Sequence, residues 1–390
     1  ASLVDTTGSG YGADEENGTT KLSLEINGSA GLDSGLETTG GTQIFLYESG
    51  DLIVGRIGNE VGDGTDTANA GGTIAFAVAI DEDSGIVSTA QYASITNPTP
   101  GASHDEIEDL AGKINAVLTV TDGDGDTDTD KEGIGDQIKF SDDGPTADLS
   151  SGAGMVQVDE TVGVQGSPDD DTTATAVSDL FSGVANTGSD TNLPQYAQSS
   201  ASLVTQGVLA TMAGADEEGA TKALSLEIVG GDGADSGLET TDGHKIYLYL
   251  QGGLVVGRAD TGDDGASATD DAAFAVAINS SSGITSLAQY LSVTNPTAGD
   301  GTTPAGSHDE IADLTGKINA VLTVTDGDGD TDTDKEAIGD QIKFSDDGPT
   351  ADLSSGAGMV QVDETAGVQG SPDDDTTATA VSDLFSGVAN

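Results

Sequence analysis

Apolar and polar residues alternate with a period of two in several short runs of the chain. They are Leu22-Ser23-Leu24-Glu25-Ile26, Gln43-Ile44-Phe45-Leu46-Tyr47, Leu52-Ile53-Val54-Gly55-Arg56 and Ile74-Ala75-Phe76-Ala77-Val78-Ala79-Ile80. That period, with β-branched and aromatic side chains, predicts strands. The turn-rich connectors Glu48-Ser49-Gly50-Asp51 and Asp81-Glu82-Asp83-Ser84-Gly85 have hairpin lengths, and Ile86 to Tyr92 reads as a return strand. Asp105 to Leu110 reads as a short helical turn capped by Ser103. Ile114 to Val120 resumes β structure, Gln137 to Phe140 and Met155 to Val158 are short strands, and Ala176 to Phe181 forms one helical turn. Short strands without a long amphipathic helix predict an all-β fold, a tandem array of elongated antiparallel β-sandwich (Ig-like) modules. Aromatic residues are only 4% of the chain, so Val, Ile, Leu and Ala must build its cores.

The pattern repeats. Lys113 to Asn186 returns as Lys317 to Asn390, changed only from Gly133 to Ala337 and from Val162 to Ala366. Upstream, Asp33 to Thr39 matches Asp235 to Thr241, Val54-Gly55-Arg56 matches Val256-Gly257-Arg258, and Thr96-Asn97-Pro98-Thr99 matches Thr294 to Thr297. Length differences fall in Gly/Asp/Thr-rich stretches such as Gly58 to Gly72 and Ala298 to Pro304, where surface loops tolerate insertion. Ser141-Asp142-Asp143-Gly144-Pro145 and its copy Ser345 to Pro349 interrupt both helix and strand and mark module boundaries. The expected organisation is an incomplete module over 1–144, a complete one over 145–348 and the opening segment of a third over 349–390. Both ends look like cuts through a longer polypeptide. Residues 349–390 are expected either to dangle or to pair with the open edge of a neighbouring chain's first module, by strand exchange.

Charge sharpens this picture. The chain has 69 acidic and 11 basic residues, a formal net charge of −58. Such self-repulsion loosens a compact state unless counterions or bound metal offset it. The basic stripe that phosphate backbones require is missing, so nucleic acid and anionic membrane are expected to be poor partners. No apolar run approaches the roughly 18 residues of a membrane span. Cysteine is absent, which removes disulfides and thiolate metal sites.

The acids are concentrated in Asp122, Asp124, Asp126, Asp128 and Asp130, at every second position after an apolar run, and identically in Asp326, Asp328, Asp330, Asp332 and Asp334. Carboxylates at this spacing repel one another unless the chain curls around cations. Calcium takes six to eight oxygen ligands in flexible geometry, and Gly123 and Gly125 would let carbonyls turn inward. The expected cofactor is calcium; the plain alternative is a solvated acidic turn. The stretch is not an EF-hand, because Thr127 stands where glycine is required and Gly133 where the final glutamate belongs. Gly230-Gly231-Asp232-Gly233-Ala234-Asp235 approaches one turn of a calcium β-roll, but a single imperfect copy cannot make one. Asp142 and Asp143, with Asp346 and Asp347, sit at the boundaries, where calcium would stiffen a joint and where an acidic linker is the alternative. Asp169 to Asp171 and Asp373 to Asp375 read as solvated loops, and Asp159-Glu160 as either.

No enzyme is expected. His244 has Thr42 as its counterpart, His104 and His308 recur in turn-like Ser-His-Asp-Glu, and no nucleophile elbow, phosphate loop or zinc spacing is present.

The ordered series Asp-Ser-Gly-Leu-x-Thr-Thr, Val-Gly-Arg, Phe-Ala-Val-Ala-Ile, Thr-Val-Thr-Asp-Gly-Asp-Gly-Asp and Asp-Asp-Gly-Pro resembles the long tandem repeats of giant bacterial adhesins of the repeats-in-toxin (RTX) group, exported by type I secretion. The resemblance implies an extracellular, cell-surface fibre whose repeats are calcium-stiffened spacers, with neighbouring modules as partners and attachment and biofilm formation as the outcome. Two alternatives stand beside it: a filament subunit joined by strand complementation, and a glycan- or surface-recognition module.

Overall fold

The computed structural model describes residues 2–61, 65–97, 106–262, 265–295, 311–346, 353–371 and 374–388. They divide between two compact units, residues 1–347 and 348–390. The first unit contains two copies of one ten-strand pattern. The first copy comprises β1 (Thr19–Ile26), β2 (Leu32–Glu37), β3 (Gln43–Ser49), β4 (Leu52–Ile57), β5 (Ile74–Ile80), β6 (Val87–Gln91), β7 (Ile107–Asp109), β8 (Ile114–Thr121), β9 (Thr127–Gly133) and β10 (Lys139–Ser141). Between the copies lie β11 (Leu149–Ser151), β12 (Val156–Asp159), the helical turn α1 (Thr175–Ser178), β13 (Gln195–Gln198), β14 (Val204–Gln206) and α2 (Leu209–Met212). The second copy comprises β15 (Thr221–Ile228), β16 (Ala234–Glu239), β17 (Lys245–Gln251), β18 (Leu254–Ala259), β19 (Asp271–Ile278), β20 (Thr285–Gln289), β21 (Ile311–Asp313), β22 (Ile318–Thr325), β23 (Thr331–Ala337) and β24 (Ile342–Ser345).

In the first copy a five-stranded sheet, β2-β3-β4-β5-β6, accompanies the three-stranded sheet β1-β8-β9 and the pair β10-β7. All of these pairings are antiparallel. The second copy repeats them and gains strands from the intervening segment. β13 extends the large sheet to β13-β20-β19-β18-β17-β16, and β12 joins β24 to make β12-β24-β21. The β12–β24 pairing is parallel, with Val156 opposite Ile342 and Val158 opposite Phe344, an exception within the expected antiparallel sandwich.

Alternation builds the core directly. On β22 the inward Ile318, Ala320, Leu322 and Val324 are fully buried while their neighbours are partly exposed. The repeated Val-Gly-Arg has a packing reason. A Cβ on Gly257 would lie 2.4 Å from the Phe274 ring, so the ring occupies the space a side chain would need. Phe274 in turn meets Phe344 of β24 at 4.9 Å between ring centroids, tying the large sheet to the last strand. Gly55, Phe76 and Phe140 repeat this arrangement in the first copy. The buried Arg258 turns its guanidinium to the carbonyls of Ala185 and Asp270, at 2.7 and 2.9 Å, and so fastens the middle of the intervening segment, between α1 and β13, to the sheet.

Three local expectations are corrected. The predicted helical turn at Asp105 to Leu110 is instead strand β7, because Ile107, Glu108 and Asp109 pair with β10 and satisfy its backbone; Ser103 and Asp105 lie outside the described residues. Gln137 belongs to a 3-10 turn that precedes β10. Only Asp122 to Asp126 form the turn of the aspartate run, since Thr127 onward returns as β9, where Thr127 faces Thr121 and Asp130 faces Leu118.

Replacing Phe344 by Ala should cost about 3–5 kcal/mol, as for other buried Phe→Ala changes. In a denaturant titration the unfolding of the second module should move to lower denaturant; an unchanged profile would contradict the core described above.

Candidate metal centre at the module joint

The two copies of the aspartate turn have the same sequence and different surroundings. In each, the first aspartate caps the turn: Asp122 Oδ1 accepts from the amides of Gly125 and Asp126, and Asp326 Oδ1 accepts from those of Gly329 and Asp330 at 3.1 and 2.8 Å. Each turn leans on a Gly-Ala-Asp-Glu-Glu segment. The amide of Gly123 donates to Asp14 O and that of Gly327 to Asp216 O, at 2.8 and 2.7 Å. A side chain at Gly327 would strike the Glu218 carbonyl at 2.4 Å, which explains glycine there.

The first turn is open to solvent, with carboxylate oxygens of Asp14, Asp122 and Asp124 within 4.8 Å of one another. The second turn is covered by the first module. Asp326, Asp328 and Asp330 bring ligand oxygens within 4.8 Å of each other, and Asp330 shares a second such group with Glu106 and Asp142. The amide of Asn97 donates to Asp328 Oδ2 at 3.1 Å. Asp216, Asp326 and Asp330 are only 2–3% exposed and Asn97 is 6% exposed.

This cluster leaves buried oxygens without partners: Asn97 Oδ1, Glu106 Oε2, Asp142 Oδ2, Asp216 Oδ1, Asp326 Oδ2 and Asp328 Oδ1. Buried polar atoms ordinarily find a partner, and buried like charges ordinarily neutralise or bind a counterion. The electrostatics register the strain. Burial, reinforced by Asp328, Asp142 and Asp326, pushes the Asp216 carboxyl up to about 7. Burial and the Asp328 carboxylate push Asp326 up to about 7 as well, and burial raises Asp142. The solvent-facing Asp122 has its pKa lowered instead, by hydrogen bonds from its own turn. The ion pairs of the described residues, Lys21–Glu82, Lys131–Glu25, Lys245–Asp235 and Lys335–Glu227, lie elsewhere.

The donor set is entirely oxygen, many carboxylates and one amide, and several donors are buried and unpaired. That fits a hard divalent cation with many oxygen ligands and does not suit a metal that prefers imidazole or thiolate.

The remaining predicted positions divide by location. Asp126 closes the first turn, and Asp128 and Asp130 are exposed on β9. Asp332 and Asp334 on β23 serve the backbone, accepting from the amides of Ala147 and Leu149, both at 2.8 Å, and so orient the segment leading into β11. Asp143 accepts from the amide of Ala215 at 3.1 Å, a further tie across the joint. Asp346 follows β24 and its charge adds to the raised pKa of Glu160; Asp347 lies outside the described residues, as do His104, His308 and Asp373.

Asp170 and Asp171 are corrected from the solvated-loop reading. They accept from the amides of Gln157 and Asp159, and Asp171 is buried with its pKa pushed up to about 7, chiefly by desolvation. Glu160 is likewise buried, accepting from Gln289 Nε2 and the Val293 amide.

Sequence reasoning missed Asn97, Glu106 and Asp216. Their signal was present as recurrence: Thr-Asn-Pro-Thr, Ser-His-Asp-Glu and Gly-Ala-Asp-Glu-Glu each appear in both copies.

A folded pKa raised from the ordinary carboxylate range to about 7 means that the folded chain holds more protons than the unfolded chain between roughly pH 4 and 7. In chelator, the contribution of these groups to stability is therefore greatest at the acid end and is lost as pH rises through about 7. Asp326→Asn should flatten that slope relative to the parent chain. Melting temperatures measured from pH 5 to pH 8 with and without the substitution check this, and parallel profiles would contradict it.

No curated protein and no solved structure matched the chain. One family matched it twice, over residues 1–135 and 155–339, blocks that carry the two copies of the aspartate turn. The chain therefore belongs to the family described as Domain of unknown function (DUF5801).

Proposed function

We propose that this chain is a calcium-binding structural extender, a spacer within an extracellular bacterial adhesin fibre of the repeats-in-toxin type that supports attachment and biofilm formation. One observation carries the reading: buried, unpaired carboxylate oxygens from two successive modules face each other across their joint. Asn97, Glu106 and Asp142 would hold the cation from one side, and Asp216, Asp326, Asp328 and Asp330 from the other. The bound cation would supply the positive charge that the cluster lacks.

The consequence is mechanical. Without the cation, mutual repulsion favours separation of the modules; with it, the same carboxylates favour one fixed arrangement. Calcium sites of extracellular modules work at dissociation constants on the order of 0.1–1 mM, so a joint of this kind would be filled outside a cell and emptied by chelation. The open Asp14-Asp122-Asp124 group repeats the second module's own half of that cluster, Asp216, Asp326 and Asp328. A chain of such joints gives length and stiffness, the properties a spacer needs.

Calcium added to the chelated chain should raise the melting temperature. At a hundredfold excess over the dissociation constant the gain is about 2.7 kcal/mol. Scattering should show a narrower spread of dimensions. Asp328→Asn should weaken both responses, whereas Asp128→Asn, on the exposed β9, should leave them intact. If calcium changes neither melting nor dimensions, the extender reading in its calcium form is wrong.

A further inference from the structure

Strand β12 stands near the entry of the chain into the second module and β24 at its exit, and the two are neighbours in one sheet, parallel to each other. Four residue pairs join them, from Val156 opposite Ile342 to Asp159 opposite Ser345. Val156, Val158 and Phe344 are fully buried, and the buried Gln157 reaches across to donate from Nε2 to Ser345 Oγ at 2.8 Å. The other edge of β12 is held as well. The amides of Gln157 and Asp159 donate to Asp170 Oδ2 and Asp171 Oδ1 at 3.2 and 3.1 Å, and the Asp170 amide donates to Gln157 O at 2.9 Å. That loop is fixed in turn to β13 of the large sheet, whose Gln198 amide donates to Asp170 O at 3.0 Å.

Direction decides how such a pair fails under load. When entry and exit strands are antiparallel, tension along the chain meets both at the same end and opens the ladder one pair at a time. When they are parallel, tension draws the entry strand by its N-terminal end and the exit strand by its C-terminal end. Here those points are Val156 and Ser345, at opposite ends of the ladder. The three residue steps between them span about 10 Å along the strands, against ~4.8 Å across. A pull on that diagonal therefore runs mainly along the strands and loads all four pairs together. Ahead of β12 the chain is held by the Asp332 and Asp334 carboxylates and by the three residue pairs of β11 with β14. Once these yield, the load passes to Val156.

We propose that the β12–β24 pair is a mechanical clamp, which resists tension drawn through the second module by shear of its parallel ladder. It explains why the intervening segment crosses to the far end of the module's sequence to find a partner: closing entry strand on exit strand puts the shortest load path through buried backbone bonds instead of through the hairpins of the large sheet. The use of such a clamp rests on the extender reading, which supplies the tension. Its mechanics need no metal, so measurement in chelator separates its failure from that of the calcium joint.

The chain has no cysteine, so introduced ones serve as attachment points for single-molecule pulling. Ala153→Cys with Ser354→Cys loads the two strands from opposite ends, and Val162→Cys with Ser354→Cys loads both from the same end; all three positions are exposed. Both double variants should melt with the parent chain, which leaves direction as the difference between them. In chelator and in calcium alike, the first variant should rupture at a force at least about twofold higher, because four residue pairs fail together instead of in succession. Equal rupture forces for the two variants, or a higher force for the second, would overturn the proposal.

Discussion

Carboxylates gathered out of water are the constraint on which the rest of this structure turns. Asp216, Asp326 and Asp330 are buried with Asn97, Glu106, Asp142 and Asp328 beside them, while the ion pairs Lys21–Glu82, Lys131–Glu25, Lys245–Asp235 and Lys335–Glu227 lie elsewhere. Desolvated like charges are costly, by several kcal/mol for each ion left uncompensated. The group persists because it is built from two sides: turn caps and backbone bonds hold Asp326 and Asp216 in the second module, while the β10 end and the Asn97 loop bring the rest from the first. A folded chain can relieve this concentration of charge by protonation, which the pKa values of about 7 at Asp216 and Asp326 register, by separating the modules or by binding a cation.

The duplication acts as an internal control. One turn, Asp-Gly-Asp-Gly-Asp, has a lowered pKa at Asp122 and one raised to about 7 at Asp326, although the local hydrogen bonds are the same. What differs is the module laid over it. In the same way β6 and β20 share a register and differ in burial because only β20 is covered by the segment bearing α1 and β13. In the second copy the aspartate turn meets acids of the module before it, and the last strand, β24, pairs with β12, the strand that opens its own repeat.

Much of the fold was legible in the chain. Period-two runs placed the large-sheet strands and hairpins, and self-similarity exposed the two copies, since both signals are local or exact. The parallel β12–β24 pairing was hidden because Val156 and Ile342 are far apart in sequence and neither run says which edge it will join. Strand β7 was read as helix because three residues with acids around them carry no usable period. At the site, Asp326, Asp328, Asp330 and Asp142 were legible as acids in a repeated turn and a repeated boundary. Asp332 and Asp334 shared the spacing yet serve the backbone of residues 147–149, a distinction that only the partner segment makes. Asn97, Glu106 and Asp216 were obscured by the abundance of acid: in a chain with 69 acidic residues, proximity alone carries little information.

The central claim, that one cation joins two modules through oxygens from both, is tested most directly by growing crystals of the chain with calcium or a lanthanide and locating the ion by its anomalous scattering. The account predicts a strong peak between Asp142 or Glu106 on one side and Asp326, Asp328 or Asp330 on the other. A peak bound by one module alone, or none at the joint, would contradict it.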